Sequence, residues 1–254
     1  MALKKGVRIL VFSIFTTSTF AQTIITDRPD QTESSSTLIK GSLQIESGIL
    51  LGSAKDDFFS EGVLQIPSVL WRYGITNGIE LRLLTEFASV KNKMSNMIIN
   101  GISDLQIGAK IQLFKKEEFN TEIAFLSHAI VPYAKDELSL NKFGVINKLA
   151  VSHKLSDTIG LGYNIGYDYF GSGNGNFTYS LALGFAISNK IGFYVEPYGE
   201  VIELENYLAN FNTGFTYLLK ENSQLDVSFG TGINHSMKYV SLGYSLNISK
   251  VVSN

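Results

Sequence analysis

The sequence predicts an all-β fold: a transmembrane antiparallel up-and-down β-barrel of about twelve strands, preceded by a cleavable signal peptide. Three observations support this prediction. The N-terminus has the features of an export signal, apolar residues alternate with polar ones over most of the chain, and tight turns alternate with longer polar connections. The 23 Gly, 17 Phe and 12 Tyr against only 4 Pro are also typical of a curved sheet rich in aromatic side chains.

Residues 1–21 are predicted to be the signal peptide. A positively charged start precedes an apolar run over 9–20, and small residues ending at Ala21 place cleavage before Gln22. The apolar run is too short to cross a bilayer as a helix, so an uncleaved anchor is the weaker alternative. The predicted mature chain then divides into a periplasmic N-terminal segment, 22–38, and a barrel, 39–254.

The strands are predicted from alternation with a period of two, which gives each strand one apolar and one polar face. In KYVSLGYSLNIS, Val240, Leu242 and Tyr244 fall on one face, and Ser241 and Gly243 fall on the other. The predicted strands are 40–53, 62–75, 79–90, 102–114, 119–133, 142–155, 158–171, 176–188, 190–203, 206–219, 223–234 and 238–249.

The connections predict the two ends of the barrel. Tight turns are expected at 76–78, 115–118, 156–157, 189 and 220–222, and longer polar connections at 54–61, 91–101, 134–141 and 172–175. Asn77-Gly78 predicts a type I′ hairpin, which needs positive φ at both central residues. Short turns at the periplasmic end and longer loops outside are the usual asymmetry of outer-membrane barrels.

Composition excludes several functions. The chain has no cysteine, so disulfides and thiolate chemistry are impossible, and the formal net charge of −2 gives no electrostatic basis for binding nucleic acid. The competing fold is a secreted β-sandwich, which would bury its apolar faces against each other. The small Gly, Asn and Ser residues on the polar faces favour the barrel. An exported chain that forms a closed barrel without sheet edges is expected in the outer membrane.

Charged residues within the strands are predicted to face the lumen, because a charge that faces lipid is costly. The candidates for a lumen lining or constriction are Glu46, Arg72, Glu80, Arg82, Glu86, Lys110, Glu196 and Glu200, with Lys148, Asp168 and Asp226 on the same faces. Arg72, Glu80 and Arg82 flank the 76–78 turn. They are interpreted either as a salt-bridge ladder that braces the wall or as a charge-selective constriction.

The stretch TDRPDQTES, 26–34, is predicted to lie at the periplasmic mouth and to fold inward as a plug. The plug candidates are Asp27, Arg28, Asp30 and Glu33. Arg28 is expected to pair with Glu80 or Glu46, and the two aspartates are expected to pair with Arg72 or Arg82. The alternative is a flexible leader followed by a serine linker.

No enzyme is predicted. Ser127 and His128 are neighbours in a strand and point to opposite faces, and His153 and His235 lie near strand ends. No nucleophile, zinc or phosphate-binding motif occurs, so no catalytic residue, cofactor or metal is expected. A barrel hydrolase using His128 or His235 remains an alternative hypothesis.

Several motifs occur in an order that resembles a known family. TDRPDQTES is followed by GSLQIESG (41–48), LWRYGITNGIELRL (70–83) and GISDLQIGAKIQLF (101–114), and later by FYVEPYGE (193–200). This pattern resembles the outer-membrane transporter family of the meta-pathway phenol-degradation type, within the porin-like group that includes the functional-amyloid exporter. The resemblance implies a twelve-stranded barrel that passes small solutes, including hydrophobic or aromatic ones.

The predicted function is therefore passive or facilitated diffusion of small solutes across the outer membrane. The expected partners are outer-membrane lipid, an unidentified small solute and the barrel assembly machinery. That machinery commonly reads a terminal aromatic residue, and here Tyr244 lies behind the tail Lys250 to Asn254. A structural or export-related envelope barrel is the main alternative function.

Overall fold

The computed structural model describes residues 23–56 and 60–249, and within them the chain forms one antiparallel sheet that closes on itself. The predicted signal peptide, 1–21, and the tail after Ser249 lie outside the described residues. The strands are β1 (Leu43–Lys55), β2 (Ser60–Thr76), β3 (Ile79–Asn92), β4 (Ile98–Ile102), β5 (Leu105–Lys116), β6 (Thr121–Val131), β7 (Gly144–Lys154), β8 (Ile159–Tyr169), β9 (Asn176–Ala186), β10 (Ile191–Ile202), β11 (Asn206–Lys220), β12 (Ser223–Gly232) and β13 (Ser236–Ile248).

The barrel closes because β1 pairs with both β2 and β13, the last strand. The short strand β4 and strand β5 both pair with β3, through Phe87 opposite Ile102 and Leu84 opposite Gln106. They are two halves of one barrel strand, interrupted at Ser103. The closed barrel therefore has twelve strands around its circumference, which confirms the predicted fold.

The two ends of the barrel have different connections. At the end where β1 begins, the strands are joined by 77–78, 117–120, 155–158, 187–190 and 221–222. At the opposite end, the longest connections are 132–143 and 170–175, while 203–205 and 233–235 are short. Short turns mark the periplasmic end of outer-membrane barrels and longer loops mark the extracellular end, so the N-terminal segment enters from the periplasm.

Apolar side chains cover the outside of the barrel, and polar side chains fill the inside. Leu51 and Leu242 are each 58% exposed on the outer face, whereas Glu46 and Arg72 are 1% exposed inside. This arrangement is the inverse of a protein that folds in water, where exposed apolar residues occur singly. A hydrocarbon environment explains both faces, because it solvates the outer side chains and leaves the lumen for the polar ones.

Two predicted details were wrong. The connection expected at 91–101 contains the end of β3 and all of β4 except Ile102, so only 93–97 is a loop. The polar composition of this stretch hid a hairpin that extends the wall. The turn at Asn77 and Gly78 is not type I′, because φ is positive at Gly78 (131°) but not at Asn77. A register shift between Gly74 and Thr76 adjusts the strand twist there instead.

Over residues 23–56 and 60–249, helical structure is confined to two single 3-10 turns, Glu117–Phe119 and Asp136–Leu138. In the described part of the chain, no helix has the length and apolar character needed to cross a bilayer. The second turn belongs to the loop 132–143, which bends back so that Leu138 lies against Gly101 of β4. This loop therefore narrows the extracellular mouth.

Candidate functional site in the barrel lumen

The N-terminal segment, residues 23–42, lies inside the barrel without regular secondary structure. Its Ile24 N–H donates to the carbonyl of Glu221 in the last periplasmic turn, at 2.7 Å. Further along, Asp27, Thr32 and Ser35 are buried, and the Leu38 N–H donates to Glu80 at 2.9 Å. The segment therefore runs across the bore before it joins β1.

A cation cluster, formed by Arg72, Arg82 and Lys110, lines one side of the lumen. Arg72 and Arg82 are directly opposite each other on β2 and β3, and Lys110 of β5 is opposite Glu80. These three side chains are at most 2% exposed, so water screens the repulsion between their charges only weakly. Their proximity requires acidic groups between them.

Two wall glutamates supply part of that compensation. Glu80 accepts hydrogen bonds from Arg72 Nε at 2.9 Å and Nη2 at 3.0 Å, and from Arg82 Nη1 at 2.9 Å. Glu46 accepts from Arg72 Nη1 at 2.9 Å. The wall thus contains the salt-bridge ladder expected from the sequence, but it leaves the inward side of the cation cluster uncovered by its own strands.

Asp27 of the N-terminal segment covers that side. Its Oδ2 lies 2.5 Å from Arg82 Nη1, 2.9 Å from Lys110 Nζ and 3.2 Å from Arg72 Nη1. Burial alone would raise the pKa of Asp27, but the three cations outweigh burial and hold the pKa well below its ordinary value. Asp27 is therefore a carboxylate under all ordinary conditions.

Glu33 makes a second contact with the same cluster. Its carboxylate lies 2.7 Å from Arg82 Nη2 and 3.7 Å from Lys110 Nζ. The backbone N–H of Glu33 donates to Asn164 Oδ1 at 2.6 Å, and Asn164 Nδ2 donates back to the Glu33 carbonyl at 3.0 Å. Because Asn164 belongs to β8, Glu33 connects the cation cluster to a more distant part of the wall.

Arg28 points to the opposite side of the lumen. Its Nη2 donates to Asp226 Oδ1 of β12 at 3.1 Å and to the Ser241 hydroxyl of β13 at 2.8 Å. The expected pairing of its side chain with Glu80 or Glu46 was wrong; only its backbone N–H reaches Glu46, at 3.1 Å. Adjacent residues of an extended chain point in opposite directions, so Asp27 and Arg28 cannot both face the same wall.

Two glycines make room for this guanidinium. Gly48 of β1 and Gly243 of β13 are directly opposite each other, and a Cβ atom on either would overlap atoms of Arg28. We call Gly48, Asp226, Ser241 and Gly243 the Arg28 seat. The sequence analysis missed it, since glycine was interpreted there only as a sign of a curved sheet with small residues on its polar face.

A third anchor lies at Glu196 of β10, which neutral donors surround. Glu196 accepts from the Gln31 N–H at 2.9 and 3.0 Å, the Thr32 hydroxyl at 2.7 Å and Asn212 Nδ2 at 2.9 Å. Asp30 is half-buried beside it, and not with Arg72 or Arg82 as expected. Burial, and after it the Glu196 carboxylate, raise the pKa of Asp30 well above its ordinary value.

The remaining predicted lining residues lie nearer the extracellular end. Glu86 accepts from Gln65 Nε2 at 3.0 Å and from the Ser103 hydroxyl at 3.3 Å. Glu200 accepts from Asn176 Nδ2 at 2.7 Å. Lys148, Asp168 and Glu200 border a small polar cavity of about 210 Å³ together with Gln31 of the N-terminal segment.

The histidines have structural partners. His128 faces the lumen, where its Nε2 accepts from Arg82 Nε at 3.0 Å, while the neighbouring Ser127 donates to Asn147 at 2.9 Å. His153 stacks on Tyr163, and His235 lies beside Asn234 in an extracellular turn. Over residues 23–56 and 60–249, no group of three or more His, Asp or Glu side chains is arranged to hold a metal ion.

The apolar exterior, the closed twelve-stranded sheet and the charged lumen define this chain as an outer-membrane β-barrel. It belongs to the family described as "Putative MetA-pathway of phenol degradation", which matches residues 26–249. The match begins at Thr26, so it includes the residues that cross the lumen as well as the barrel. Comparison with curated proteins gave no match.

Solved porins share the fold. The structure entitled "KdgM porin in complex with disordered oligogalacturonate" has a TM-score of 0.53 and 10% identity, covering 80% of this chain and 98% of that one. The NanC porin has a TM-score of 0.50 and 12% identity, covering 79% and 98%. At such low identity these similarities establish the barrel architecture alone.

Proposed function

We propose that this protein is an outer-membrane channel for small solutes, and that residues 23–42 act as a plug that closes its lumen. One observation carries the proposal: Asp27 lies buried within the cation cluster while Arg28 reaches the opposite wall. A segment anchored to both walls obstructs any path between them. Solute passage then requires the plug to shift or withdraw.

Cavities on either side of the plug support a path through the barrel. A cavity of about 820 Å³ lies towards the periplasmic turns and is bordered by Asp30 and Glu33 of the plug. The cavity of about 210 Å³ bordered by Gln31 lies towards the extracellular end. The charged groups along this path favour solutes that carry charged or polar groups. The family resemblance, in contrast, implies hydrophobic or aromatic solutes.

No chemical step forms part of this proposal. His128 accepts a hydrogen bond from Arg82, and Ser127 faces away from it, so these two residues do not form a nucleophile–base pair. The barrel assembly machinery is proposed to insert the chain into outer-membrane lipid, as for other barrels of this architecture. The mechanism is diffusion along the lumen once the plug has moved.

A reversible covalent lock tests the plug. The hydroxyl oxygens of Thr32 in the plug and Ser180 in β9 are 2.8 Å apart, and the chain has no cysteine of its own. In the double variant Thr32→Cys/Ser180→Cys, oxidation should join the plug to the wall. We expect single-channel conductance in planar bilayers to fall to the background of protein-free membranes on oxidation and to return to the wild-type level with dithiothreitol.

The two single-cysteine variants, treated with the same oxidant, are the controls and should conduct like the wild type. If the oxidised double variant conducts as well as the reduced one, the segment is not a plug. If wild type and reduced double variant both remain silent and pass no sugar or amino acid in liposome-swelling assays, the channel function itself is wrong.

A further inference from the structure

We propose that the Arg28 seat and the cation cluster together form a solute-binding site for small amphoteric guanidino compounds. Arginine-containing dipeptides are the class we have in mind, with the guanidinium in the Arg28 seat and the carboxylate at the cation cluster. Free arginine, whose two charged groups lie closer together, is the simplest member of the class that fills the Arg28 seat alone. The proposal rests on the channel function proposed above. It adds to that function the class of solute that the channel selects.

The shape of the Arg28 seat favours a flat cation. Gly48 and Gly243 face each other across the β1–β13 pair, and the missing side chains leave a recess in which the guanidinium lies. Asp226 is directly opposite Gly243 on the next strand, so its carboxylate lies at the edge of the recess. A rounded ammonium needs no such recess, whereas a planar guanidinium fits between backbone and carboxylate.

The seat has binding capacity that Arg28 leaves unused. Asp226 is 5% exposed, and its Oδ2 has no hydrogen-bond partner, nor does the buried Nε of Arg28, as far as the described residues extend. Arg28 therefore makes one contact with Asp226 where a guanidinium can make two parallel ones. A free solute, not tethered to the plug backbone, can turn to form the bidentate pair.

The second half of the site lies one residue away along the plug. Asp27 occupies the cation cluster, so the plug presents a carboxylate and a guanidinium on consecutive residues to opposite walls. A solute with both groups satisfies both walls at once, while a simple acid or a simple base satisfies one. Because solute and plug use the same groups, they compete, and solute binding favours the open channel.

Arg28 borders open space while the plug is in place. A cavity of about 350 Å³ near the periplasmic turns is bordered by Arg28, Pro29, Asp30 and Gln224. The side chain of Arg28 retains 20% exposure. A small molecule therefore reaches Arg28 from the periplasmic side, and it enters the Arg28 seat when the Arg28 side chain leaves.

The test uses the full-length Arg28→Ala variant, which vacates the seat while Asp27 still occupies the cation cluster, so it measures the guanidinium half of the site. Citrulline is the matched solute, since it has the shape of arginine but a neutral urea group. In liposome-swelling assays we expect Arg28→Ala to pass L-arginine about fivefold faster than citrulline. Titration calorimetry of the detergent-solubilised variant should show binding of arginine and none of citrulline.

Three double variants decide whether the Arg28 seat is responsible. Adding Asp226→Asn or Gly48→Ala to Arg28→Ala should abolish both the arginine preference and the calorimetric signal. Adding Glu205→Gln, which neutralises an exposed acid in the extracellular turn 203–205, should preserve both. Equal passage and equal binding of the two solutes by Arg28→Ala would overturn the proposal, as would a preference that survives both seat substitutions.

The two proposals fail in different ways. If no variant passes any solute, the channel function is wrong, and calorimetry still reports on the Arg28 seat. If Arg28→Ala passes arginine and citrulline at the same rate, and neither binds, the channel stands and the guanidino specificity is wrong.

Discussion

At the scale of single residues, the ion pairs between plug and wall fix the position of the plug more than they stabilise the protein. Placing charges in a dry interior costs several kcal/mol per ion, and their mutual attraction roughly offsets this cost. Removing one member, however, leaves the others uncompensated. Asp27 is the extreme case, since three cations surround a single carboxylate. The register of the plug in the bore is therefore strongly fixed at this residue.

Asp30 makes plug closure depend on pH. Its raised pKa means that the seated plug holds a proton more tightly than a released plug does. Closure is therefore strongest below the seated pKa and weakens as the pH rises through it, the opposite of the usual aspartate. We expect the wild-type channel to be closed more often in mild acid than at neutral pH, measured as open probability in planar bilayers.

The variant Asp30→Asn isolates this effect. The amide mimics the protonated acid, so the variant should be closed more often than the wild type at neutral pH, and its open probability should depend less on pH between mild acid and neutral pH. Asp27 does not contribute in this range, because its pKa lies well below the ordinary value, and Glu196 and Glu33 are unchanged in the variant. An unaltered pH profile in Asp30→Asn would contradict the assignment to Asp30.

The sequence was sufficient to predict which charged residues face inward, but not all of their partners. Alternation alone places Arg72 and Arg82 inside, and the expected contacts of Asp27 with both are present. The partner of Arg28 depends on the β1–β13 pairing, which joins residues at opposite ends of the chain. An inward glycine opposite another inward glycine is the signal that identifies such a recess, once the register is known.

At the scale of elements, long strands follow from alternation, and exceptions arise where another interaction prevails. Strand β4 was missed because its neighbourhood is polar, and pairing with β3 stabilises it instead. The interruption before β5 places Asp104 where it binds the loop 132–143. Its carboxylate accepts from the N–H groups of Tyr133, Ala134 and Leu140 and from the Ser139 hydroxyl, all at 2.8–3.0 Å.

Asp104 should therefore hold this loop over the extracellular mouth. Burial alone would raise its pKa, but these donors lower it below the ordinary value, so the loop stays bound at neutral pH and is released only in stronger acid. Asp104→Asn turns one acceptor oxygen into a donor that faces other donors. We expect amide hydrogen exchange across 132–143 to become about tenfold faster.

The matched control is Asp136→Asn, which neutralises an exposed acid within the same loop. Its exchange rates should equal those of the wild type. Equal rates in Asp104→Asn would show that other contacts, such as Leu138 against Gly101, hold the loop without the carboxylate.

At the scale of the whole molecule, the barrel depends on lipid around its apolar exterior. Leu242 lies mid-strand on the outer face, opposite Ile49 and Val227, whereas Ile233 lies in an extracellular turn. Leu242→Arg should lower the free energy of unfolding by about 2–4 kcal/mol, and Ile233→Arg by about 0–1 kcal/mol. Urea titration of the protein in phospholipid vesicles measures both, and equal losses would contradict a membrane midplane at Leu242.

The Arg28 seat has a further consequence for the assembled cylinder. Its components come from β1, β12 and β13, so the guanidinium straddles the junction where the first strand meets the last. The recess does not exist before β1 pairs with β13. Once Arg28 is bound there, separating the first and last strands also requires breaking the ion pair between Arg28 and Asp226. The N-terminal segment thus helps to hold the first and last strands together, and a barrel that has not closed offers no binding site for Arg28.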